Sequence, residues 1–110
     1  MSFKQSDIVY AYVRFRGKVN GGRQRPVLIF QTPDGKWMGL RITSKYEGKP
    51  EAIRHYFYEI RDWQKAGLAK PSWIDTKFQI NVANLEVIHV FGHLTLRDKQ
   101  EFRAFLQNVF

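Results

Sequence analysis

Apolar residues in this 110-residue chain recur mostly at a two-residue period, in short runs cut by turn residues. The period turns helical only near the end. Asp7 to Phe15 alternates, with Val9, Ala11, Val13 and Phe15 on one face and Tyr10 and Tyr12 on the other. Pro26 to Gln31 is a continuous apolar run, as expected of a central strand buried on both faces. Thr32-Pro33-Asp34-Gly35 is a hairpin turn, because proline presets its backbone angle and glycine accepts a positive one. The returning strand, Lys36 to Ser44, sends Met38, Leu40 and Ile42 inward and Trp37, Arg41 and Thr43 to the opposite face.

Ser44 to Ala52 is polar and reads as a loop, and His55 to Ile60 as an aromatic-rich strand. Asp62 is placed to cap a short helix over Trp63 to Ala66, which Gly67 ends. Beyond a break at Lys70-Pro71, Ser72 to Val82 resumes as a strand with Phe78, Ile80 and Val82 on one side, and Glu86 to Phe91 is the last strand. Thr95 and Asp98 form a capping-box pattern, after which Phe102, Phe105, Leu106 and Val109 repeat at helical spacing. The expected fold is mainly β with a C-terminal helix, an α+β class. A small, strongly bent antiparallel barrel with helices packed outside, forming one domain over residues 1–110, is the natural architecture.

The charge is as uneven as the hydropathy. No acidic residue occurs from Ile8 to Pro33, while Arg14, Arg16, Lys18, Arg23 and Arg25 flank paired glycines in the loop that feeds the apolar strand. Pro26 restricts Arg25 to an extended conformation at the strand entrance. With a net charge of +8 the chain favours a polyanionic partner. A membrane surface is the weakest choice, since no apolar run approaches the ~20 residues of a span. The first residues lack the apolar core of a signal peptide, and the absence of cysteine fits a reducing cytoplasm without proving it.

No metal is expected. His89 and His93 are four apart, but their segment is strand-like and contains Gly92, so they do not share a helix face. Carboxylates are sparse and unpaired, which argues against most hydrolases. Phosphate chemistry without metal or cofactor remains. RNA carries its own nucleophile, the 2′-hydroxyl, and a protein need only hold the phosphate, stabilise its oxygens and assist proton transfer. A guanidinium meets two phosphate oxygens at once, so Arg25 suits electrostatic stabilisation, and the Thr43 or Ser44 hydroxyl can donate to the same oxygens. On these residues alone, a plain surface arginine is the better reading of Arg25.

Five segments in order resemble the MazF/PemK-like toxin family. Ser6-Asp7-Ile8-Val9-Tyr10 is similar to the family's Gly-Asp-Ile/Val-aromatic opening, with serine where glycine is usual. Gly21-Gly22-Arg23-Gln24-Arg25-Pro26-Val27-Leu28-Ile29 resembles its Gly-Gly-x-Arg-Pro-Val-Leu-Val segment. Leu40-Arg41-Ile42-Thr43-Ser44 resembles its strand ending in Thr-Ser/Thr, and Pro71-Ser72-Trp73-Ile74-Asp75 a Ser-aromatic-apolar-Asp segment of one subgroup. Val90-Phe91-Gly92-His93-Leu94-Thr95 resembles its Ile-Gly-x-Leu-Ser close.

The resemblance implies an SH3-like barrel of the CcdB/Kid/MazF type, a homodimer, and the toxin of a type II toxin–antitoxin pair. Its activity would be metal-independent cleavage of single-stranded mRNA, silenced by an acidic antitoxin. It assigns Arg25 to the scissile phosphate, Thr43 and Ser44 beside it, and Asp75 to an acidic catalytic position. His55 is the candidate general base, with an ordinary strand-surface histidine as the favoured alternative. Arg14, Arg16, Lys18, Arg23, Arg41 and Lys45 are the candidate RNA-binding cations, and Tyr12 or Trp37 stack on bases or pack in the core or a dimer. The loop departs from the family pattern, being more basic, and Trp63 to Lys70 is a long insertion. Two alternatives stay open: a noncatalytic nucleic-acid-binding barrel, of RNA or DNA, and a barrel whose cations dock an acidic protein. Gyrase poisoning of the CcdB kind is disfavoured, because the distinctive residues lie in the first loop rather than at the C-terminal helix.

Overall fold

The computed structural model describes residues 3–14 and 22–110, apart from the side chains of Arg14 and Ile88. Strands β1 (Asp7–Arg14), β2 (Gly22–Gln31) and β3 (Trp37–Thr43) form an antiparallel meander. A four-residue helix α1 (Glu51–Arg54) precedes β4 (Phe57–Glu59) and β5 (Trp73–Asp75). Then follow β6 (Ile80–Asn81), a 3-10 turn (Val82–Asn84), β7 (Glu86–His93) and helix α2 (Leu96–Val109). The sheet order is β4-β5-β3-β2-β1-β7, with β6 alongside β3, and every pairing is antiparallel. Among the described residues no pairing joins β4 to β7, so the sheet is open. The class is α+β, with mostly antiparallel strands in one sheet and a C-terminal helix.

β2 is central and covered on both faces, as its apolar run requires. Leu28 belongs to a core with Ile8, Leu40, Ile42, Ile74 and Phe102, packed under α2. Val27 and Ile29 belong to a second core with Val9, Ala11 and Val13, covered by Phe3, Trp37, Ile80, Val82, Leu85 and Val87. The turn at Gly35 has φ +89° and closes with the Gly35 N–H donating to the Thr32 carbonyl at 2.9 Å.

Three expectations need correction. Residues 61–67 form consecutive turns rather than a helix. The Asp62 carboxylate accepts instead from the Thr95 hydroxyl at 2.8 Å and from Arg97 at 2.7 Å, a tertiary use that replaces helix capping. The expected strand from Ser72 to Val82 breaks after Asp75, because Thr76 donates both its N–H and its hydroxyl to the Tyr56 carbonyl, leaving Phe78 exposed. His55 lies outside β4, in right-handed helical conformation at the end of α1.

Two backbone positions are decided by close approach and by sign of φ. A Cβ on Gly92 would lie 1.8 Å from the Ala66 carbonyl oxygen, so β7 and the 61–67 turns meet only through glycine. Ser6 has φ +70° and is fixed there by its N–H to the Ile29 carbonyl at 2.9 Å and by the Leu94 N–H to its own carbonyl at 3.1 Å. Left-handed backbone costs a side-chain-bearing residue about 1–2 kcal/mol, partly offset by the unfolded-state freedom of glycine. Ser6→Gly should therefore raise the unfolding free energy by about 0.5 kcal/mol, read from the urea midpoint. No helix among the described residues is long and apolar enough to cross a membrane.

Candidate functional site

The β2–β3 ladder ends at Val27 opposite Arg41. Beyond it the strands part company. β2 continues beside β1 as far as Gly22, whereas β3 continues beside β5 through Ile42 and Thr43. A cleft of about 480 Å³ opens at this split. Side chains from both faces of the sheet reach its walls, because a gap between strands removes the usual separation into two faces.

Among the described residues six cationic ones line it, Arg23, Arg25, Arg41, Lys45, Lys49 and Lys70, and no carboxylate does. The hydroxyl-bearing residues Tyr10, Thr43, Ser44 and Ser72 are interleaved with them. Arg25 is half-buried, and its Nε is buried without a hydrogen-bond partner among the described residues. Burial lowers its pKa first, then the charges of Arg41 and Arg23, against an opposing pull from Asp75. A guanidinium so placed remains charged at neutral pH, since its ordinary pKa lies far above neutrality. The like charges are held together by the fold, at a cost that an incoming anion relieves.

The sequence candidates separate cleanly. Arg25, Thr43, Ser44, Arg23, Arg41 and Lys45 all line the cleft. Thr43 Oγ1 accepts the Lys45 N–H at 3.1 Å, which leaves the hydroxyl proton free for a ligand oxygen. Asp75 is buried behind the wall. One of its oxygens accepts from Arg41 Nη2 at 3.1 Å and the other from the Lys77 N–H at 3.0 Å, so it orients Arg41 rather than facing the cleft. His55 is exposed at the end of α1 with its ring against Tyr56, centroids 5.1 Å apart, and is not part of the lining. Arg16 and Lys18, and the side chain of Arg14, lie outside the described residues. Trp37 packs on Phe3 and the second core rather than toward the cleft.

Sequence reasoning missed Tyr10, Lys49 and Lys70. A signal was present. Three of the four prolines follow a cation, as Arg25-Pro26, Lys49-Pro50 and Lys70-Pro71, and all three cations line the cleft. Each proline biases the preceding residue toward extended backbone, which holds a long cationic side chain at a wall instead of letting it fold into a helix. The loop carrying Lys45 and Lys49 is anchored through Tyr46. Its ring stacks on Trp73 at 4.7 Å and 6°, with the Arg54 guanidinium 5.5 Å from its centre.

Chemically this arrangement is suited to holding an anion such as a phosphodiester. Its donors are forked guanidinium groups, mobile ammonium groups and hydroxyls, with an apolar floor at Pro26, Ile42 and Leu68. Among the described residues no group of three or more His, Cys, Asp or Glu could hold a metal ion. Because His55 does not line the cleft, His55→Ala should leave any turnover there within about twofold of the parent, checked by single-turnover kinetics across pH 5 to 8. In comparison with known proteins, no protein-family model matches the chain, and no curated protein matches it.

Proposed function

We propose that the chain is a metal-independent endoribonuclease acting on single-stranded RNA, the toxin of a toxin–antitoxin pair, in keeping with its resemblance to MazF/PemK-like toxins. The observation that carries this reading is Arg25. It sits half-buried at the strand split, its Nε without a partner among the described residues, within reach of the charges of Arg41 and Arg23 and in one cleft with Thr43. The meander under α2 is, on this reading, an SH3-like barrel completed as a homodimer, and an acidic antitoxin neutralises the cationic cleft.

In the proposed reaction the 2′-oxygen forms a bond to phosphorus as the bond from phosphorus to O5′ breaks. The 2′-hydroxyl loses its proton, O5′ gains one, and the products are a 2′,3′-cyclic phosphate and a 5′-hydroxyl. Arg25 and Arg41 face the charge that accumulates on the non-bridging oxygens, and Thr43 donates to one of them. Lys45, Lys49 and Lys70 hold the flanking backbone. Tyr10 offers a ring on which an unpaired base stacks.

The test is incubation of purified protein with a long RNA in excess EDTA, with mapping of the new ends. Cutting at full rate with cyclic-phosphate termini is expected, and dependence on a divalent ion defeats the assignment. Binding should weaken with salt, by about 0.7 in the log–log slope for each phosphate neutralised. Lys45→Ala should flatten that slope by about 0.7 without changing which sites are cut.

A second reading is favoured by one observation. Among the described residues neither carboxylate nor histidine lines the cleft, since Asp75 is committed to Arg41 and His55 is not part of the lining. On that reading the same cations hold RNA without cutting it, and intact RNA after long incubation, with salt-sensitive binding, selects it.

A further inference from the structure

A second cavity, of about 540 Å³, shares no residue with the cleft and has a different chemistry. It enters the layer between the sheet and α2. Its floor is core: Leu28, Leu40 and Phe102 are 1 %, 4 % and 9 % exposed, and half-buried Leu106 stands beside them. Among the described residues its polar lining contains Lys77, Lys99 and Arg103 and no carboxylate. The volume falls within the ~300–1,000 Å³ of small-molecule sites, which pair an apolar body with a few placed polar groups.

The charges on α2 are sorted between its faces. Arg97 and Glu101 pair with each other at 4.0 Å and with Asp62 and Arg61 at 2.7 and 3.5 Å. Lys99 and Arg103, four residues apart, have no ion pair among the described residues. Like charges at this spacing cost the helix stability. Nothing in the packing of α2 on the sheet needs them, since Phe102, Phe105 and Leu106 supply that contact. Lys77 stands at the same cavity, its Nζ 5.1 Å above the Tyr56 ring.

We propose that this cavity binds an amphiphilic monoanion, a carboxylate on an acyl chain of about ten carbons, with the chain over Leu28, Leu40 and Phe102 and the carboxylate at Lys99 and Arg103. A free phosphate or a nucleotide is disfavoured by the apolar floor, and a neutral hydrocarbon leaves the cations unmatched. The proposal stands apart from the RNA reading, because it uses neither the cleft nor its residues.

Titration calorimetry with decanoate below its micelle concentration tests it. We expect saturable binding of one decanoate per chain, about tenfold weaker for octanoate, whose chain is two methylenes shorter. Decanol, with an equal tail and no charge, should bind at least tenfold more weakly than decanoate. The Lys99→Glu/Arg103→Glu variant changes only exposed positions and should lose at least tenfold in decanoate affinity at an unchanged melting temperature. Arg25→Ala should bind decanoate as the parent does. Absence of saturable binding, equal affinity in the Lys99→Glu/Arg103→Glu variant, or loss of binding in Arg25→Ala overturns the proposal, the last by moving the ligand to the cleft.

Discussion

Arg25→Ala is expected to lower kcat/KM for cleavage of a single-stranded RNA by about a thousandfold, the upper range for removing one electrostatic stabiliser of a transition state. The same change should alter the unfolding free energy by less than about 1 kcal/mol. Stability is spared because Nε has no hydrogen bond to lose among the described residues, and because the change relieves repulsion from Arg41 and Arg23. Arg25→Lys separates charge from geometry. An ammonium keeps the charge but cannot present two parallel N–H groups, so it should restore no more than about a tenth of the activity. Single-turnover kinetics in EDTA, alongside urea unfolding of each variant, give both readings. Normal cutting by Arg25→Ala would leave the proposed reaction without its principal group.

Asp98→Ala is expected to have the opposite profile, a large loss of stability by a residue remote from the cleft. Asp98 is fully buried at the start of α2, where Thr95 caps the helix by accepting the Asp98 N–H. Its carboxylate accepts from the Tyr58 hydroxyl at 2.7 Å, the Arg61 N–H at 2.8 Å and the Asp62 N–H at 2.9 Å. One side chain therefore pins the C-terminal helix to the segment leaving β4. Truncation strands three donors, each costing about 1–3 kcal/mol when buried without a partner, so a loss of about 3–5 kcal/mol follows. That is a large part of the ~5–15 kcal/mol by which a domain is stable. Asp98→Asn keeps one acceptor oxygen and should lose roughly half as much.

The pH dependence follows from the same cluster. Burial first, and then the hydrogen bond and charge of Asp98, raise the Tyr58 pKa far above its ordinary value. An unfolded chain ionises this phenol near pH 10, whereas the folded one keeps it protonated. The contribution to stability is complete below about pH 10 and is lost as pH rises beyond that. Tyr58→Phe should remove this alkaline decline, and chemical denaturation at pH 8 and pH 11 measures it. A decline unchanged in Tyr58→Phe assigns it to another group.

Much of the architecture was legible because it rests on local pattern. The two-residue period placed β1 and β3, the unbroken apolar run of β2 announced burial on both faces, and Thr95 marked the start of α2 within one residue. Failures fell where a tertiary partner outbid a local preference. Asp62 has the chemistry of a helix cap, yet Thr95 and Arg97 claim its carboxylate. Asp98 was expected to complete a capping box, and its carboxylate serves the backbone of Arg61 and Asp62 instead. Thr76 sits in a plausible strand, but two bonds to the Tyr56 carbonyl turn the chain away.

At the candidate site the division is similar. Arg25, Thr43 and Ser44 could be singled out because their types and positions suit phosphate chemistry, and the cation–proline pairs carried a further signal. The role of Asp75 could not be read from the chain, because it depends on the 34-residue separation from Arg41 being closed by the β3–β5 pairing. Nor could the cleft itself, which exists because β2 and β3 take different neighbours beyond Val27 and Arg41. By itself the sequence determined that the first three strands extend, that the C-terminal segment coils, and that the first part of the chain is cationic, since periodicity and charge are properties of neighbours along the chain. Only the tertiary structure decided where the strands separate, which carboxylate is spent on an arginine and which histidine stays outside, since those depend on contacts between residues far apart in the chain.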